Sequence, residues 1–219
     1  MKCLLVHDLQ NDFFAQGPIP SIKSLDFVDR VNQLLRLSGK KFDAVVASQD
    51  YHKPQHHAFA SNNPGKKIED KIELHHDRQF LWADHCIQNT PGAAFHPALD
   101  VYYFSYVIKK GMNPMYDTGS AFFDKGKGEK TLLDEYLKFK AIKEVYVLGN
   151  AIDLGITQTA FDGMELGYKM TLIRDLCPTY KLPEDKVEFR WEDLKQKGVR
   201  VIMSETRYRK CHYSIVSED

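Results

Sequence analysis

Gly149-Asn150-Ala151-Ile152-Asp153-Leu154-Gly155 is the stretch whose reading decides the fold. Before it, Glu144–Leu148 is a short β-rich run. After it, Leu154–Leu166 carries apolar residues at helical spacing. A strand therefore ends here and a helix begins, with Gly155 in its first turn. A helix N-terminus offers free backbone N–H groups and the positive end of a dipole. Such an elbow binds an oxyanion and lowers the pKa of a cysteine placed on it. Glycine, however, has no side chain to attack with. Asp153 reads as the N-cap. Gly155 also reads simply as a small residue that lets strand and helix pack closely, as Gly163 and Gly167 do later in the segment.

Outward from the elbow the same alternation repeats. Strands are predicted at Lys2–His7, Phe42–Ser48, Tyr106–Ile108, Glu144–Leu148, Met170–Ile173 and Val199–Met203. Ile22, Leu25, Val28, Val31, Leu34 and Leu35 recur at helical spacing, and further helices are predicted at Glu129–Lys138, Leu154–Leu166 and Pro183–Lys197. Strand–helix–strand units predict a parallel sheet with helices on both faces. No linker, repeat or low-complexity tract interrupts residues 1–204, which read as a single domain; the charged residues 205–219 read as a C-terminal extension. Tyr51 to about Asp100 breaks the rhythm, being polar and rich in histidine, proline and aromatics. A long loop inside a compact domain is usually functional.

Composition excludes several classes. Apolar residues make up 43% of the chain, enough for a buried core. Thirty basic residues balance thirty acidic ones, so no basic stripe suggests nucleic acid. The apolar runs are strand-sized, none long enough to span a membrane, and the N-terminal run is too short for a signal peptide. Cys3, Cys86, Cys177 and Cys211 form no CxxC pair, which argues against a disulfide framework and a thiolate zinc site and points to a reducing cytoplasm.

In open parallel sheets ligands bind beyond the carboxyl ends of the strands. Here those ends carry Asp8, Asp50, Lys109-Lys110-Gly111 and the elbow. Asp8 reads as a general base or as a turn former. Lys110 reads as a stabiliser of negative charge or as an ordinary solvated lysine. Asp50-Tyr51-His52 sets a carboxylate and an imidazole on one face of an extended segment. With His56 and His85 they suit a divalent metal with mixed N/O ligands: zinc, iron or manganese. The alternative is a polar loop whose histidines cap turns.

Taken in order, the motifs Asp8-Leu9-Gln10-Asn11-Asp12-Phe13, Ser48-Gln49-Asp50-Tyr51-His52, Leu81-Trp82-Ala83-Asp84-His85-Cys86, Lys110-Gly111, Ser120-Ala121-Phe122, the elbow and Thr159-Ala160-Phe161-Asp162-Gly163 resemble the nicotinamidase (pyrazinamidase) branch of the isochorismatase-like cysteine hydrolases. The resemblance covers about residues 3 to 177. It implies a three-layer α/β/α Rossmann-like fold, with Asp8 as base, Lys110 as its charged partner and a cysteine nucleophile at the position of Gly155. It implies a metal, zinc first, held by Asp50, His52 and His85 with His56 nearby, that binds the ring nitrogen of nicotinamide. Phe13 and Trp82 match aromatics that flank the ring. Backbone N–H groups near Ala151 and Gly155 match the oxyanion hole, and a cis peptide before Ala151 is expected. A homo-oligomer is also implied.

This chain departs from that pattern around one pocket: Ile152-Asp153-Leu154-Gly155 at the elbow, Gly119 in place of an aromatic, and Ala83 in place of a proline. Without a thiol, the amidase chemistry is expected to be lost or strongly weakened. Two alternatives stand beside this reading. One is an isochorismatase-type vinyl-ether hydrolase using Asp8 as general acid. The other is a non-catalytic ligand-binding protein.

Overall fold

The computed structural model describes residues 1–74 and 77–204. His75, His76, Cys211 and the expected 205–219 extension lie outside the described residues.

Six parallel strands form the central sheet in the order β5-β2-β1-β6-β7-β8. They are β1 (Lys2–His7), β2 (Ala44–Asp50), β5 (Tyr106–Lys110), β6 (Glu144–Gly149), β7 (Lys169–Ile173) and β8 (Arg200–Ile202). β1 is apolar on both faces because it is central. Cys3 and Leu5 enter one core, Leu4 and Val6 the other. The helix α1 (Asp26–Arg36) covers the second core with Val28, Val31, Leu34 and Leu35. The opposite face is covered by α2 (Leu133–Phe139), α3 (Thr157–Glu165) and α4 (Glu184–Gln196) through Leu133, Leu137, Ala160, Trp191 and Leu194. The three-layer α/β/α arrangement is the one expected.

Three local expectations change. The long segment after β2 holds an antiparallel hairpin, β3 (Lys71–Leu74) with β4 (Asp77–Phe80). Its strands are four residues each, too short for a period-two pattern to stand out in the sequence. The helix after β6 does not start as an α-helix. Ile152–Ile156 is one wide π turn, with Ala151 carbonyl accepting from the N–H groups of both Leu154 and Ile156, before α3 begins at Thr157. Such wide turns gather at functional sites. Finally, Asp153 is not an N-cap. Its carboxylate accepts from the backbone N–H groups of Tyr180, Lys181 and Leu182, each at 2.8 Å, and so ties the segment after β7 to the elbow.

Candidate active site

The parallel register brings the polar strand ends together. Asp50 pairs with Lys110 across β2 and β5, while His7 sits beside Ser48 and Gly149. The chain leaves β1 through Asp8 at φ 51°. Lys110 Nζ lies 2.9 Å from Asp8 Oδ2 and 2.5 Å from Asp50 Oδ1. Ser48 Oγ donates to Asp8 Oδ1 at 2.7 Å. All three charged groups are buried.

Burial alone would raise the Asp8 carboxyl, but His7 and Lys110 outweigh it and hold it well below the usual range. Burial would likewise lower Lys110, yet Asp50 and Asp8 raise it further, so it stays charged. For Asp50 burial wins over Lys110, and the neighbouring Asp8 pushes its carboxyl up as well. Two buried carboxylates share one ammonium, and His7 Nδ1 lies 3.0 Å from Asp8 Oδ2, so a further positive charge would find its open partner in Asp50.

That charge has a cradle. Asp50, His52 and His85 each offer a ligand atom within 4.8 Å of the others. The extended 50–52 segment pairs with residues 86–88: His52 N–H donates to Cys86 carbonyl at 2.9 Å, and Gln88 N–H to His52 carbonyl at 2.8 Å. His52 Nδ1 is 2.9 Å from Gly111 carbonyl and His85 Nδ1 is 2.8 Å from Ala83 carbonyl. Backbone oxygens only accept, so both Nδ1 atoms carry a proton, which leaves Nε2 as the nitrogen that can face a metal. This is the tautomer a metal-binding histidine needs. His52 Nε2 is buried with no hydrogen-bond partner. Burial and the neighbouring histidines keep the His52 ring neutral. An orphaned lone pair beside a carboxylate and a second imidazole fits a divalent metal.

His56 packs its ring 4.6 Å from that of His52, but its nitrogens are engaged elsewhere. Its Nε2 lies 3.0 Å from Tyr116 carbonyl, and its Nδ1 accepts from Ala58 N–H at 3.1 Å, so neither nitrogen is free to ligate in this arrangement.

A cavity of about 470 Å³ opens above the cluster. Asp8, Asp50, His85 and Lys110 form part of its wall; Phe13, Ile19 and Trp82 supply apolar surface; Asn150, Asp153, Leu154 and Gly155 bring in the elbow. Phe13 meets His85 edge-on at 5.8 Å, and Trp82 Nε1 donates to Asp117 at 3.2 Å. Ala151 is fully buried and lies outside the lining. The cis peptide expected before it is absent, since no bond among the described residues is cis. The chain turns instead at Gly149, whose φ of 120° a glycine accommodates.

Cys86 and Cys177 do not replace a nucleophile. Both are buried outside the cavity lining, and burial pushes both thiols up, away from the reactive range.

The profile of the isochorismatase domain matches residues 2–206. This chain belongs to the isochorismatase family. It is 40% identical over 176 residues to the nicotinamidase of Escherichia coli, covering 80% of this chain and 82% of that one. It superposes on the yeast nicotinamidase bound to the inhibitor nicotinaldehyde with a TM-score of 0.87 and 26% identity, covering 93% of this chain and 100% of the other. The pyrazinamidase of Pyrococcus horikoshii in complex with zinc gives 0.75 and 28%, over 93% and 99%.

The sequence reading missed His7. It reads as the last residue of a strand, yet it is fully buried between Asp8 and the elbow. The available signal was a histidine inside a run otherwise buried and apolar on both faces. It also missed Asp124, a buried cavity residue whose carboxylate accepts from Gly111 N–H at 3.2 Å.

Proposed function

We propose that this protein is a nicotinamidase-type scaffold that retains a metal site and a pyridine pocket but has lost efficient amide hydrolysis. The observation that carries the reading is a contrast within one cavity. The Asp8–Lys110–Asp50 cluster and the orphaned His52 lone pair are kept, while residue 155, on the elbow, is glycine. The zinc-bound and nicotinaldehyde-bound relatives support the choice of metal and ligand.

Asp50, His52 and His85 would hold the metal, zinc first, with iron or manganese as alternatives. When bound, it would accept the ring nitrogen of a pyridine carboxamide such as nicotinamide and orient it. Phe13 and Trp82 would flank the ring. Asp8, kept ionised, could take a proton from an attacking group, and Lys110 would offset the charge beside it. At residue 155 there is no thiol to form an acyl-enzyme. Loss of a nucleophile from a coupled unit costs on the order of 10⁴–10⁶ in rate.

The vinyl-ether hydrolase reading accommodates Gly155 but needs a protonated Asp8, which Lys110 and His7 oppose. A purely ligand-binding role differs from the main reading only in having no residual turnover. A cytoplasmic homo-oligomer remains the expectation.

The test is metal analysis together with nicotinamide binding and a deamidation assay. One equivalent of divalent metal and ligand binding with little or no ammonia release are expected. A metal-free protein that turns over isochorismate would overturn the reading.

A further inference from the structure

Gly155 lines the cavity, yet the space a side chain would enter there is filled. A Cβ built on it would collide with the Gly119 carbonyl and come within 2.5 Å of His7 Cε1. Neither neighbour can yield easily. The His7 ring is fully buried and fastened at both nitrogens: Nδ1 is 2.7 Å from Asn150 carbonyl and 3.0 Å from Asp8 Oδ2, and Nε2 is 3.2 Å from Thr159 Oγ1. Turning the ring away would strand several buried polar groups at once. The Gly119 carbonyl belongs to backbone pinned just downstream, where Ala121 N–H donates to Thr159 Oγ1 at 2.9 Å. Thr159 therefore ties both obstacles to α3.

Gly155 itself is not left-handed, so a side chain there meets a steric obstacle and no φ penalty of its own, while Leu154 before it lies at φ −118°, ψ −118° and sets the direction of the contact. By propensity alone, an alanine near a helix start should be neutral or slightly stabilising.

We infer that His7 is the residue that determines what position 155 can carry: its imidazole, with the Gly119 carbonyl, occupies the nucleophile's place, so that His7 and Gly155 form a coupled pair. Gly155 is on this view a requirement of the rebuilt elbow rather than a vacancy in an intact one. Replacing it alone by cysteine would force the thiol into the imidazole and the backbone. A side chain can return there only when His7 is shortened and the Gly119 carbonyl gives way with it. The steric part stands independently of ligand identity; the word nucleophile rests on the nicotinamidase reading.

The experiment is a double-mutant cycle on the full chain, read as Tm. Gly155→Ala lowers Tm by roughly 5 °C or more from overpacking. In a His7→Val background the loss shrinks by about 2 °C or more, and the remainder belongs to the Gly119 carbonyl. His7→Asn, which keeps a hydrogen-bonding side chain but lacks the ring edge at Cε1, repeats the cycle if His7→Val folds poorly. A neutral or stabilising Gly155→Ala overturns the inference. So does a loss that stays the same whether or not His7 is shortened, since the carbonyl alone would then be responsible. The same cycle with Gly155→Cys adds a nicotinamide deamidation readout, in which the double variant should exceed the single by 10-fold or more. If the Tm coupling holds but the double variant releases no ammonia, the coupled pair stands, and nicotinamide binding by the unaltered chain decides the nicotinamidase reading, because shortening His7 also removes a partner of Asp8.

Discussion

The two sides of one cavity have been treated differently. On the β2 side, Asp50, His52 and His85 bring three ligand atoms together and His52 Nε2 has no hydrogen-bond partner, a set that fits a divalent metal. On the β6 side, the elbow leaves nothing open: His7 and the Gly119 carbonyl close on Gly155. Asp8 and Lys110 stand between the two and contact both, Lys110 reaching Asp50 and Asp8 reaching His7. Under the proposed function, recognition would be kept on the first side and chemistry lost on the second. Buried polar groups are costly unless satisfied, so a site that stays unsatisfied marks a ligand. At the elbow, by contrast, the space beside residue 155 is already filled.

The comparison can be broken most severely at its centre. Lys110→Met should leave Asp8 and Asp50 facing each other without a cation. Breaking a buried charge cluster in this way costs about 3–5 kcal/mol, to be measured by urea unfolding of the metal-free protein. An unchanged midpoint would mean the ammonium does not hold the cluster. On the open side, His52→Ala should cut bound zinc by 10-fold or more, read by elemental analysis after dialysis against a chelator. Retention of a full equivalent would remove the cradle from the account.

A smaller effect concerns pH. Burial raises the Asp124 carboxyl from its ordinary value of 3.8 to about 6. The folded state therefore binds this proton more tightly than the unfolded state, and the associated stability is present below pH 4 and lost as pH rises through about 6. Asp124→Asn should flatten that part of the stability profile; an unaltered slope would show that another group is responsible. The smallest expected change comes from His56→Ala, which should alter zinc affinity by less than about 3-fold, because both ring nitrogens already have partners. A large loss would return His56 to the ligand set.

Much of the frame was legible before any coordinates. β1 and β2 announce themselves as apolar runs that stop at charged or polar residues, and the strand ends of a parallel sheet converge by topology, so Asp8, Asp50 and Lys110 could be grouped from sequence. Asp50 and His52 share a face because extended residues two apart do so. The hairpin of β3 and β4 was hidden because each strand is only four residues long, too short for a period to stand out from the polar stretch around it. Asp153 was misread because local spacing favours a cap, whereas its real partners, Tyr180, Lys181 and Leu182, lie far along the chain. His7 escaped for a similar reason: its meaning comes from Gly155 and Thr159, which pack against it only in three dimensions.

The most direct measurement is nicotinamide titrated into the zinc-loaded protein in a calorimeter, with ammonia followed in the same sample. The account predicts saturable binding at about one site per chain and ammonia release at least 10⁴-fold slower than that of the Escherichia coli nicotinamidase under the same conditions. Rapid multiple turnover by the unaltered chain would contradict it, because the elbow would then be catalysing amide hydrolysis without a side chain at residue 155.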